Sequence, residues 1–149
     1  MSLVETPAAS GNGLDEVRAL MADGIRAPIT ELLDFRLIEA ENGRVVFEGT
    51  PSEKVYNPIG SVHGGYAATL LDSACGIAVH TKLSPAQGYT TLELKVAYHK
   101  AMTSQTGPVR AEGKVITFGR RAAFAEARIT DATGRLYASA TSTLLVFDK

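Results

Sequence analysis

The stretch that most constrains this chain is Asn57-Pro58-Ile59-Gly60-Ser61-Val62-His63-Gly64-Gly65, followed by an apolar run from Tyr66 to Val79 whose one formal charge is Asp72. The Asn-Pro pair predicts a turn, and the apolar run predicts a long helix. At roughly 100° per residue, Ala67, Leu70, Ala74, Ile77 and Ala78 share one face and form a core stripe. The other face carries Asp72 with Gly65, Ala68, Cys75, Gly76 and Val79, small or apolar residues that let another backbone come close. A helix apolar on all sides is enclosed by its surroundings, and an ionised carboxylate there is strongly destabilising unless a cation or a hydroxyl, such as Ser73 or Thr69, meets it. Asp72 therefore needs a partner or a task.

Gly64 and Gly65 stand where this helix begins, so their N–H groups lack intrahelical acceptors and lie at the positive end of the helix dipole. Such an end can polarise a carbonyl oxygen, and paired glycines admit a substrate closely; the same pair also serves as a plain tight turn. Gly64 and Asp72 are separated by roughly 12 Å along the axis, at about 1.5 Å rise per residue. One carbonyl, at ~3 Å from each, cannot touch both within one chain. If both act on it, Asp72 comes from a second copy of the helix packed antiparallel, which predicts a two-fold dimer with two composite sites.

The rest of the chain supplies the frame. Leu14, Val17, Leu20 and Met21 recur at helical spacing, and segments 35–40 and 44–49 read as a hairpin across Asn42-Gly43. Residues 29–37 are ambiguous, and 51–59 form a loop leading to the helix. Between 90 and 98 the residues Thr90, Leu92, Leu94, Val96 and Tyr98 alternate with Thr91, Glu93, Lys95 and Ala97, predicting a strand with one apolar face. Three further strands are predicted at 107–118, 122–130 and 136–147, parted by turns at Gly119-Arg120 and Thr133-Gly134. Helix, two strands, long helix, four strands: this order predicts an α+β domain with an antiparallel sheet around one central helix.

With 149 residues and 45% hydrophobic content, the chain is expected to form a single domain over 14–149, with 1–13 a disordered lead-in. Fifteen basic against sixteen acidic residues give a net charge of −1, which argues against nucleic acid as a partner. Cys75 is the only cysteine, so no internal disulfide forms; it reads as core filler and fits a reducing compartment. No cationic segment followed by an apolar run opens the chain, and the longest apolar stretch is short and interrupted by Asp72. A cytoplasmic protein without a membrane span is expected.

The string Asn-x-x-Gly-x-x-His-Gly-Gly, the Leu-x-Asp ending at Asp72, the Thr-x-Glu-Leu strand and the late Gly-Arg and Thr-Gly turns together resemble the hotdog-fold acyl-coenzyme A thioesterases of the phenylacetate-pathway type. The likeness runs from about residue 35 to the C-terminus. It implies a curved antiparallel sheet wrapped around one helix, assembled as a homodimer and further as a dimer of dimers. It also implies hydrolysis of acyl-coenzyme A thioesters. The residue matching Asp72 is nucleophile or general base across the subunit interface, the N–H matching Gly64 holds the carbonyl oxygen, and Asn57 and His63 shape the site. A hydroxyl on the following strand assists, at Thr91 by alignment or at Thr90 with a slip of one. Gly65 would line the substrate site, and Arg120 and Arg121 would meet the phosphates of coenzyme A, with Lys95 and Lys100 as further candidates. Coenzyme A enters as part of the substrate, and no separate cofactor is implied.

This chemistry is physically reasonable, because a thioester has little resonance stabilisation and a good leaving group, so an oxyanion donor plus one base or nucleophile suffices. His63 is also readable as a structural hydrogen-bonding group, and Arg120-Arg121 as a solvated turn. His80 and His99 lack a partner motif, and no His or Cys spacing suggests a metal site. Two rivals share the scaffold. A hydratase acting on enoyl thioesters is only partly echoed, since His63 comes too late after Asn57-Pro58, and a non-catalytic acyl-thioester binding module has no need of Asp72.

Overall fold

The computed structural model describes residues 12–149. The expectation for the lead-in lies outside the described residues as far as residue 11. Asn12 and Gly13 already belong to the first helix, α1 (Gly13–Ala22), whose first turn is capped by Asn12 Oδ1 accepting from Asp15 N–H at 3.1 Å. Val17 is buried on its inner face, and Gly13 N–H donates to Leu83 C=O at 2.8 Å, tying α1 to the end of the long helix. The ambiguous segment contains a five-residue helix, α2 (Pro28–Leu32), with Pro28 in its first turn, too short for apolar spacing to announce it.

The hairpin forms as expected. Strands β1 (Phe35–Glu41) and β2 (Arg44–Gly49) meet across a turn in which Gly43 takes φ +80°. A 3-10 turn at Glu53–Val55 interrupts the loop before the central helix, α3 (Gly64–His80). Strands β3 (Gln87–Tyr98), β4 (Val109–Phe118), β5 (Ala122–Asp131) and β6 (Leu136–Asp148) complete one six-stranded sheet. Its order is β1-β2-β4-β5-β6-β3, with every neighbouring pair antiparallel, so β1 and β3 are its edges. This is the predicted α+β hotdog architecture, a curved sheet wrapped around α3.

Small residues let the sheet close on the helix. Ala111, Ala123, Ala125, Ala127, Ala138 and Ala140 line its inner face and are buried, as are Leu70 and Leu71 of α3. At Gly113 a Cβ would stand 2.2 Å from the Ala74 carbonyl oxygen, so β4 and α3 meet backbone to backbone. The predicted stripe of α3 is buried at Ala67, Leu70, Ala74 and Ala78 and half-buried at Ile77. The expected small-residue contact face needs correcting in its C-terminal half. Cys75, Gly76 and Val79 are buried within the chain itself, and the Tyr89 ring of β3 lies over Gly76, 3.1 Å from where a Cβ would be. Gly65, Ala68 and Asp72 keep access.

A second correction concerns β3. Its register against β6 shifts between Thr91 and Glu93, a β-bulge that inserts one residue and reverses the alternation. Leu92, expected on the apolar face with Leu94 and Val96, is 60% exposed, whereas Thr91 turns toward α3.

Candidate active site

The start of α3 is held from several directions. Val62 N–H donates to Met102 C=O at 2.9 Å and His63 N–H to Val55 C=O at 2.8 Å. Asn57 is occupied within its own loop: Oδ1 accepts from Ile59 N–H at 3.0 Å and Ser61 N–H at 3.2 Å, and Nδ2 donates to Ser61 Oγ at 3.1 Å. These bonds fold the loop that leads into α3. His63 is the N-cap of α3, and its Nδ1 accepts from Gly65 N–H at 2.8 Å. Nδ1 is therefore unprotonated, and the proton of the neutral ring sits on Nε2.

With Gly65 N–H taken by His63, the N–H of Gly64 is left with no acceptor among the described residues. It lies at the positive end of a helix of 17 residues. Gly64 and Gly65 line a cleft of about 530 Å³, together with His63, Tyr98, His99, Lys100 and Met102. That size falls within the range of small-molecule sites, roughly 300–1,000 Å³. Tyr98 O–H donates to Gly64 C=O at 2.7 Å across this cleft.

Asp72 is half-buried, and its Oδ1 accepts from Thr91 O–H at 3.0 Å. Among the described residues no cation pairs with it. The hydroxyl partner is Thr91, while Thr69 instead donates to Gly65 C=O within the helix. Burial first, then the negative charge of Asp72, pushes the Tyr89 phenol up to about 12. The Cys75 thiol rises to about 12 from burial, then Asp72, then Glu126, so it stays a buried, protonated thiol. Thr90 is exposed and pairs with exposed Leu145, on the side of the sheet away from Asp72.

One edge strand thus meets α3 at both places. Thr91, near the start of β3, holds Asp72, and Tyr98, at its end, holds the Gly64 peptide. At about 3.3 Å rise per residue these positions are separated by roughly 20 Å. Arg120 and Arg121 are exposed at the β4–β5 turn, next to Ala122, which pairs with Leu145 beside Thr90. They belong to the Asp72 end and do not reach the Gly64 cleft of their own chain. Lys95 is exposed midway along β3, whereas Lys100 lines the cleft.

His80 meets Glu16 at 2.9 Å, a tie between α3 and α1, and His99 meets Ser139 at 2.8 Å. Of the cleft residues, sequence reasoning missed Tyr98 and Met102, set His99 aside and left Lys100 unranked. The signal for Tyr98 was its place in the apolar alternation of β3, which the residues past the bulge retain. Among the described residues no group of three or more His, Cys, Asp or Glu is placed to hold a metal ion. No helix among them is long and apolar enough to cross a membrane.

Residues 59–138, spanning Gly64, Asp72 and Thr91, match the family model of the thioesterase superfamily. The chain is 30% identical over 121 residues to a 1,4-dihydroxy-2-naphthoyl-CoA hydrolase of Listeria monocytogenes, covering 81% of this chain and 97% of that one. It also resembles a crystal structure of a thioesterase family protein from Silicibacter pomeroyi, with TM-score 0.79 and 24% identity over 89% of this chain and 98% of that one. A Streptococcus mutans protein crystallised with acetyl-CoA superposes with TM-score 0.69 and 26% identity, covering 77% of this chain and 90% of that one. A sheet rolled around a helix with an open N–H at its start and a hydroxyl-held carboxylate in its middle is thus found in a chain that belongs to the thioesterase superfamily, the thioester hydrolases of hotdog fold.

Proposed function

We propose that the protein hydrolyses acyl-coenzyme A thioesters to the free acid and coenzyme A, at sites shared between two copies of the chain. The observation that carries this reading is the arrangement on β3. Among the described residues neither Asp72 nor Gly64 N–H has a charged partner; they are too far apart along α3 to serve one carbonyl in one chain, and α3 meets opposite ends of the same edge strand beside them, at Thr91 and Tyr98. A two-fold axis through β3 near Leu94 and Lys95 lays Thr91 of one copy beside Tyr98 of the other. Asp72 of the first then faces Gly64 of the second. Such strand pairing also satisfies the open edge of β3.

In the reaction, the thioester carbonyl oxygen accepts a hydrogen bond from Gly64 N–H, where negative charge develops. Asp72 either attacks the carbonyl carbon or takes a proton from a water that attacks it, with Thr91 orienting the carboxylate. The C–S bond breaks, coenzyme A leaves as thiolate and is protonated, and one water is consumed per turnover. If Asp72 attacks directly, a mixed anhydride forms and water cleaves it. Arg120 and Arg121 come from the copy that supplies Asp72 and Lys100 from the copy that supplies Gly64, so positive charge flanks the cleft from both sides for the phosphates of coenzyme A. The CoA ester in the name of the Listeria relative and the acetyl-CoA bound to the Streptococcus protein support this substrate class. The likeness to the phenylacetate-pathway type favours a cytoplasmic dimer of dimers.

Release of free thiol from acetyl-, hexanoyl- and benzoyl-coenzyme A tests the reading. The wild type is expected to turn over at least one of them, and Asp72→Ala to lose roughly 10²-fold or more in kcat. Mixed dimers of Asp72→Ala with a Gly64 variant are expected to recover activity at one intact site. Equal rates for wild type and Asp72→Ala would remove the mechanism, and inactive mixed dimers would remove the shared site.

A further inference from the structure

Tyr98 is poorly placed to be a core residue. It sits at the end of an edge strand and is 57% exposed in the single chain, so its ring contributes little to that chain's own core. Among the described residues its hydroxyl has one partner, the Gly64 carbonyl oxygen at 2.7 Å. The ring lies so close that a Cβ on Gly64 would stand 2.9 Å from the Tyr98 hydroxyl and 3.0 Å from Cζ. The peptide between Gly64 and Gly65 is therefore gripped at both ends, its C=O by Tyr98 and its N–H by His63 Nδ1. A peptide is planar, so two such anchors on opposite sides fix the orientation of the first turn of α3. The Gly64 N–H belongs to the preceding peptide, joined to the gripped one through the Gly64 Cα, and has no acceptor among the described residues.

We infer that Tyr98 is a positioning residue for the oxyanion donor: its hydroxyl, acting with the His63 cap, holds the Gly64–Gly65 peptide so that the Gly64 N–H stays aimed at the substrate carbonyl. The inference rests on the thioester-hydrolase reading of this end of the helix. In the two-fold pairing described above, Tyr98 also lies beside the Thr91 that orients the opposing Asp72, so the strand end that fixes the donor meets the strand start that fixes the carboxylate. A preorganised donor stabilises developing charge without rearranging during the reaction, and a donor free to tilt loses part of that stabilisation.

The test is Tyr98→Phe, which keeps the ring and removes the hydroxyl, assayed as the full chain with the same three coenzyme A esters. The variant is expected to melt close to the wild type. Its kcat is expected to fall about tenfold with KM within about twofold, short of the roughly 10²-fold that a 1 Å misplacement produces. Amide hydrogen exchange at Gly65 is expected to accelerate without ligand, a readout independent of turnover. A Tyr98→Phe variant with wild-type kcat, or with unchanged kcat and raised KM, overturns the positioning role while leaving the Asp72 mechanism intact. Unchanged exchange at Gly65 overturns it as well. Failure of the wild type to release thiol from any of the three esters instead overturns the reading of function on which it rests.

Discussion

Gly113→Ala probes the contact that sets the position of α3. Gly113 does not have positive φ, so alanine meets no backbone obstacle, and shortening the conformational freedom of the unfolded chain favours the variant by about 0.4–1 kcal/mol. Against this, the new Cβ would lie 2.2 Å from the Ala74 carbonyl oxygen and 2.4 Å from its carbon. Ordinary carbon–oxygen contact is near 3.4 Å, so β4 and α3 must part by about 1 Å. Backbone atoms cannot swing aside as a side-chain tip does, which puts the penalty at the upper end of overpacking, about 3 kcal/mol. The net loss of about 2 kcal/mol corresponds to roughly 4–8 °C in Tm for a chain of this size. Ala74 is two residues beyond Asp72, so the displacement also reaches the carboxylate and is expected to lower kcat by up to ~10²-fold. Gly88→Ala is the control: its Cβ would come within 2.7 Å of Phe147, but that ring is 38% exposed and can rotate away, so less than about 1 kcal/mol is expected. Thermal unfolding followed by circular dichroism, with thiol release, measures both effects. A Gly113→Ala protein melting with the wild type, or a Gly88→Ala protein losing as much, would refute the claim that backbone contact at Ala74 seats the helix.

Removing the hydroxyl that holds Asp72, in Thr91→Ala, is expected to lower kcat about tenfold, in line with a hydrogen bond to a charged group weakened by partial exposure; Thr91→Ser should keep most activity. A loss as large from Thr90→Ala would contradict the orientation of β3. The turn between β5 and β6 makes stability depend on acid: hydrogen bonds from the Thr133 side chain, opposed by a small desolvation, and from Arg135 N–H, Tyr137 O–H and Thr133 N–H lower the Asp131 carboxyl from 3.8 to about 2. Because the folded value lies below the unfolded one, this contribution is present above about pH 4 and is lost as pH falls toward 2. Asp131→Ala should therefore melt below the wild type at pH 6, and the gap between them should narrow as pH falls from about 4 to about 2; a gap that does not narrow over that range would point to another cause.

Features set by near neighbours in the chain were legible. The long helix, the Asn-Gly hairpin and the strand boundaries after it derive from apolar spacing and turn residues, and the structure places them within a few residues of expectation. The isolation of Asp72 was legible for the same reason, since one charge in an apolar helix is visible without tertiary knowledge. What could not be read was how much of α3 the chain covers with its own side chains. Cys75, Gly76 and Val79 look like a surface open to a partner until the folded chain shows them buried, with Tyr89, thirteen residues past Gly76, lying over that glycine.

The phase of β3 marks the boundary of such reading. Strict alternation groups Thr90 with Leu94 and Thr91 with Glu93, which would turn Thr91 away from the helix. The bulge reverses that grouping ahead of Leu92, and nothing in Tyr89-Thr90-Thr91-Leu92-Glu93 announces it, because a bulge without a positive φ needs neither glycine nor proline. Its position is fixed by the partner strand: Thr91 faces Leu144 and Glu93 faces Thr143, so two steps on β3 match one on β6. Only that non-local register brings the Thr91 hydroxyl to Asp72 while leaving Leu94 and Val96 packed against the core, with Tyr98 reaching Gly64 at the other end. A strand without the bulge could serve one end of the site or the other; with it, the same edge strand supports both the carboxylate and the helix-end donor.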